Sequence, residues 1–209
     1  MLIWKQSVLR SIGLRIGNQV HALSPDSNEY FGLTEVMGQS HTEDYVNIVG
    51  LRNSHNKRFP AALVIGSEVC VCDNLAFIGT VKLARKHTRF IERDLPQLVG
   101  RAVGQLSEVF SQQEQRIDAY KGYRIKDKTA HDIVIRSFDT GAITGRMIPT
   151  VLKEWREPRH EVFREKTAWS LFNAFTEVLK GNLPELPKRT ECLHGLFDQQ
   201  VKLSPVHLN

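Results

Sequence analysis

Five basic side chains, Lys82, Arg85, Lys86, Arg89 and Arg93, recur at spacings of one, three and four along residues 82–93. Projected at ~100° per residue they share an arc of roughly 100°. Leu83, Ala84, Phe90 and Ile91 take the opposite side, with His87 among them. The spacing predicts an amphipathic helix with a cationic outer stripe, and such a stripe attracts phosphates. The plainer account is a solvated face paired with carboxylates from residues 26–44. Arg52, Lys57 and Arg58 add cations in a polar loop. Lys121, Arg124, Lys126 and Lys128 form a further group, with Tyr120 and Tyr123 among them. Binders of single strands combine cationic grooves with aromatic platforms. Against that stands the stabilisation that cations give a helix C-terminus.

Little else points to chemistry. His87, on the apolar arc, reads as a hydrogen-bonded core residue. His55 follows Asn53 and Ser54 in a loop, where it could touch a ligand. Cys70 and Cys72 are separated by one residue, and Cys192-Leu193-His194 lies far away. Zinc sites usually space their cysteines by two to four residues, so buried inert thiols are the default. A cysteine nucleophile needs a base and an orienting partner, and neither is nominated. Gly-rich phosphate loops, paired zinc-binding histidines and nucleophile elbows are missing. Carboxylates are sparse beside the basic segment, which argues against phosphoryl chemistry with divalent ions. No catalytic residue, metal or cofactor is therefore assigned. Asn173 and Thr176, three apart on an otherwise apolar helix, should bond the backbone of a neighbouring segment. A ligand contact is the alternative.

The elements that must position these residues follow from pattern. The 209 residues, 41% hydrophobic and 24% charged, suit one globular domain. Net charge is +5, unevenly spread along the chain. From Ile16 to Gly50 there are five acidic residues and no Lys or Arg, whereas Lys82 to Arg101 holds six basic residues against two acidic. Three cysteines without a disulfide framework suit a reducing compartment. With no apolar run of about 18 residues and no secretion signal, the expectation is a cytoplasmic protein away from membranes.

The first 23 residues should pair as short strands, and residues 24–43 read as a mobile polar loop. Tyr45 to Leu51 predicts a strand. Ala61 to Ile65, a turn at Gly66-Ser67, and Val69 to Cys72 predict a β-hairpin. Apolar residues at three-four spacing predict a long helix over 95–121. Asp127 should cap a helix to Phe138, and Pro149 should open a short helix carrying Trp155. A mostly buried helix is expected over 167–180, stopped by Gly181, and a last one over 188–201. The fold class is α+β: a small antiparallel sheet with a β-hairpin packed against a helical layer. It forms a single domain over 1–209, with residues 1–44 as an N-terminal appendage and 182–209 as a helical extension.

Several strings occur in a familiar order: Asn53-Ser54-His55, Val69 to Phe77, Arg85-Lys86-His87-Thr88, and Thr167 to Glu177. Together, over about residues 45–180, they resemble an uncharacterised family carried by phages and plasmids, the domain of unknown function 932. The resemblance implies a phage, prophage or plasmid context in a bacterial cytoplasm, without an assigned activity. It also implies that His55, Cys72, Asn74, His87, Asn173 and Thr176, which fall in the matching strings, meet at one ligand site. The expected function is non-catalytic nucleic-acid binding, single-stranded DNA favoured, in binding or strand annealing. The stripe Lys82–Arg93 would hold the backbone, adjoined by Arg52, Lys57 and Arg58. The alternative is an interaction protein that antagonises a host defence by binding a host protein or a small nucleotide. The long helix could also serve a homo-oligomer.

Overall fold

A computed structural model describes residues 15–37, 45–59, 61–70, 74–85, 97, 100–101, 104–181 and 185–203, with 61, 74 and 76–85 defined by backbone alone. Five strands, β1 (Arg15–Leu23), β2 (Glu29–Met37), β3 (Tyr45–Ser54), β4 (Ala61–Val69) and β5 (Asn74–Arg85), form one sheet in chain order. The pairs β1/β2 and β2/β3 are antiparallel. Five helices follow: α1 (Leu106–Gly122), α2 (Asp127–Asp139), α3 (Ile148–Arg156), α4 (Ala168–Leu179) and α5 (Leu186–Val201). The chain is thus an α+β protein. It divides into two compact units, residues 1–68 with 79–110 and residues 69–78 with 111–209.

In the first unit, two expectations give way. Residues 24–43 are not a loop throughout, because Glu29–Met37 is strand β2, with Phe31, Thr34 and Val36 buried. The turn before it is tightly tied. The Asp26 carboxylate accepts from the Ser24 hydroxyl, the Asn28 side-chain amide (2.8 Å) and the Asn28 N–H (3.2 Å). Those bonds, Ser24 foremost, lower its pKa to about 2. Nor does Gly66-Ser67 turn the chain. Ala61–Val69 is one strand, and Ser67 is fully buried. A strand between two neighbours and buried on both faces reads as a near-continuous apolar run, in which small residues mimic a turn.

In the second unit α2 to α5 lie close to where periodicity predicts, while the helix expected over 95–121 is described as α1 only from Leu106, after a turn at Gln105. Thr167 caps α4, accepting from the Ser170 N–H. Gly181 follows α4 at φ 88°, and Gly141 follows α2 at φ 76°, both in the left-handed region that favours glycine. Pro149 lies in the first turn of α3. Helix α5 starts at Leu186, two residues ahead of expectation. Asp127 sits in the first turn of α2, and Lys126 takes the N-cap position. Ten of the twelve residues of α4 are buried, packed against α3 and α5. Each fully buried Leu or Phe contributes about 1.5–3 kcal/mol, so α4 anchors the unit.

Candidate functional site

The predicted basic stripe does not form one helical face. Lys82 and Arg85 belong to strand β5, whose period is two, so a projection at ~100° per residue does not apply to them. Lys86, His87, Arg89 and Arg93 lie outside the described residues. In the β3–β4 connection, Lys57 is exposed at φ 61°. Arg58 pairs with Glu29 (3.2 Å), the kind of neutralisation by the acidic 26–44 region that the sequence raised. The Arg52 guanidinium lies 5.5 Å from the centre of the Phe59 ring.

The second predicted group spans both units. His55, in the first, is exposed, and its N–H donates to the Asn28 carbonyl (2.7 Å). Asn74, in the second, begins β5. Asn173 and Thr176 are buried on α4, where each side chain bonds a carbonyl of its own helix. Asn173 Nδ2 donates to the Trp169 carbonyl (2.9 Å) and Thr176 Oγ1 to the Asn173 carbonyl (3.1 Å). Asn173 also lines a cleft with Glu154, His160, Ser170 and Glu177, of about 10 Å³, room for about one water. Arg159 spans the two carboxylates there, 3.3 Å from Glu154 and 2.7 Å from Glu177, and Lys180 joins Glu177 at 2.7 Å.

The further cationic group, Lys121, Arg124, Lys126 and Lys128, lies where α1 gives way to α2. The segment joining α1 to α2 is fastened to the entry of α4. Ile125 N–H donates to the Lys166 carbonyl (2.8 Å) and Ala168 N–H to the Tyr123 carbonyl (2.8 Å), while Arg124 and Thr167 form an antiparallel bridge. Further bonds draw in α3. Trp155 Nε1 donates to Asp127 (2.9 Å), and the Lys166 ammonium donates to the Trp155 carbonyl and lies 4.3 Å from its ring centre. Arg156 Nη2 donates to His131 Nε2 (3.3 Å). Arg124, Lys126 and Lys128 are exposed on this junction, without an ion pair among the described residues. The carboxylate within the group, Asp127, is engaged by Trp155.

Helix stability does not explain this placement. Lys121 lies in the last turn of α1, where the macrodipole favours a cation. Lys126 and Lys128 lie instead at the N-terminus of α2, where a cation is unfavourable. Tyr120, expected among these cations as a platform, is fully buried, whereas Tyr123 is half-buried and accepts from Gln200 (3.0 Å).

Tyr120 serves a polar network that the sequence reading missed. Arg116 donates to Asp198 through Nε (3.0 Å) and Nη2 (2.9 Å), and to Gln113 through Nη1 (3.0 Å). Tyr120 Oη donates to Asp198 (2.6 Å) and lies 3.2 Å from His194 Nδ1. The His194 ring stacks on Phe172 with centroids 4.6 Å apart. Burial, reinforced by the Arg116 charge, holds the His194 imidazole well below the usual histidine range. Burial first, then the Asp198 carboxylate, pushes the Tyr120 phenol well above its ordinary value. Helical spacing carried the signal: Arg116/Tyr120 and His194/Asp198 are each four apart, on facing helices.

Cys70 is exposed and Cys192 half-buried. Among the described residues no three His, Cys, Asp or Glu gather as a metal site, and no helix is long and apolar enough to cross a membrane. No family model, curated protein or solved structure matches the chain.

Proposed function

We propose that the chain is a non-catalytic nucleic-acid-binding protein that holds a phosphodiester backbone through Arg124, Lys126 and Lys128 at the α1–α2 junction. The observation that carries the reading is that these exposed cations form no ion pair among the described residues and include two at the helix end where they are least favoured. Local charge that opposes the fold is expected where a surface serves a ligand. Lys57, Lys82 and Arg85 are further candidates for backbone contact, and Arg52 and Arg58 lesser ones, since each already faces an internal group. The phage or plasmid setting rests on the ordered strings between Asn53 and Glu177.

Fluorescence anisotropy with a labelled single strand at several salt concentrations tests the proposal. Three neutralised phosphates give a slope of log K against log salt of about −2 from these residues. The R124A/K126A/K128A variant should bind more weakly and lose that part of the slope. Absence of binding at low salt, or affinity indifferent to both salt and the triple substitution, refutes the proposal.

A further inference from the structure

Helix α2 turns one mixed stripe outward. Lys128, His131, Ile135 and Phe138 follow one another at spacings of three, four and three, which places them within an arc of about 80°. All four are exposed, Ile135 by 50% and Phe138 by 47%. Ala130, Ile133, Val134 and Ser137 occupy the buried face. The stripe runs about 15 Å, ten residues at 1.5 Å each. It begins among the junction cations and ends on an aromatic ring. Beside its second position, the planar Arg156 guanidinium meets His131.

Cations grading into an exposed aromatic ring match a ligand whose phosphates and bases are offered side by side. We infer that the outer face of α2 is a base-stacking track for single-stranded nucleic acid, with Phe138 as the platform and the junction cations holding the adjacent phosphates. This rests on the nucleic-acid reading above and adds the surface that would set strandedness, the outer face of α2 with Phe138. Single strands present unstacked bases to aromatic rings, whereas a duplex keeps its bases stacked inside and offers Phe138 only the backbone. Charge complementarity favours this occupant over a protein helix, because the apolar pair Ile135 and Phe138 is continuous with Lys128, Lys126 and Arg124.

The test compares one labelled sequence as a single strand and as a duplex, bound to wild type, F138A, F138W and R124A/K126A/K128A. Phe138 is exposed, so F138A should leave the fold intact, checked by circular dichroism. The expected result is a loss of about 5- to 150-fold in single-strand affinity for F138A. Its duplex affinity and salt slope should be unchanged, and F138W should restore binding. The triple variant should weaken both ligands. Wild-type binding that depends on the cations while F138A has no effect, or weakens both ligands equally, overturns the stacking track and leaves the binding proposal standing. No binding of either ligand by wild type removes both. Self-association of wild type that F138A abolishes would assign the stripe to a second copy and overturn the inference.

Discussion

Two polar clusters of the helical unit handle charge in opposite ways. Between α1 and α5, Arg116, Asp198, Tyr120, His194 and Gln113 are buried and bonded to one another. At the α1–α2 junction, Arg124, Lys126 and Lys128 are exposed and have no counter-ion among the described residues. Both arise from polar residues in or beside amphipathic helices, and composition does not separate them. Burial and partners do. The buried cluster matches its charges internally, Arg116 against Asp198, whereas the junction has cationic capacity to spare. The difference teaches that unmatched charge, more than the number of basic residues, marks where this chain can meet another molecule.

Breaking the closed cluster should give the largest effect. D198A strands the Arg116 guanidinium in the interior and should cost about 3–5 kcal/mol in urea unfolding. Replacing both partners, as in R116M/D198L, should cost much less, since no charge is left unmatched. An equal loss in the two variants would contradict the view of Arg116 and Asp198 as one unit.

The same cluster should confine stability to a pH window. Unfolded histidine takes a proton below about 6.5, which the buried His194 resists, so its contribution is present above that pH and lost as acid is added. Unfolded tyrosine ionises above about 10, while Tyr120 stays protonated, so its contribution is present below that pH and declines as pH rises. Unfolding free energies measured across pH should fall at both ends, and H194F should flatten the acid side. An unchanged acid limb in H194F would remove His194 as its cause.

The smallest effect sharpens the other side of the comparison. K126A/K128A relieves the N-terminus of α2 and should leave stability unchanged or raise it by about 0.3–1 kcal/mol, more at low salt. A clear destabilisation would show that these lysines serve the fold and weaken the case for a binding surface.

How far the sequence revealed this arrangement depended on which residues carried the period. Helix α4 was legible because Thr167 caps it, Gly181 ends it and its apolar residues face nearly all round. Strand β2 was hidden because Thr34 occupies a core position, and Glu35 is committed to Asn18 across the strand pair (3.0 Å). The stripe at 82–93 misled because cations matched a helical period, while the alternation Val81-Lys82-Leu83 continued a strand. Basic residues do not drive burial, and the apolar alternation is the stronger physical signal. The buried cluster was missed because Gln113 and Arg116 interrupt the apolar positions of α1, and their partners lie some eighty residues onward.

The antiparallel bridge whose two hydrogen bonds join Tyr123–Ile125 to Lys166–Ala168 has a consequence for association itself. The entry of α4 holds Tyr123 and Ile125, which lead directly into α2, and α4 is immersed in the core of its unit. The backbone beneath the junction is therefore rigid before any ligand arrives. Little conformational entropy remains to be lost there on docking, so even a few contacts from flexible lysine tips can be converted into affinity.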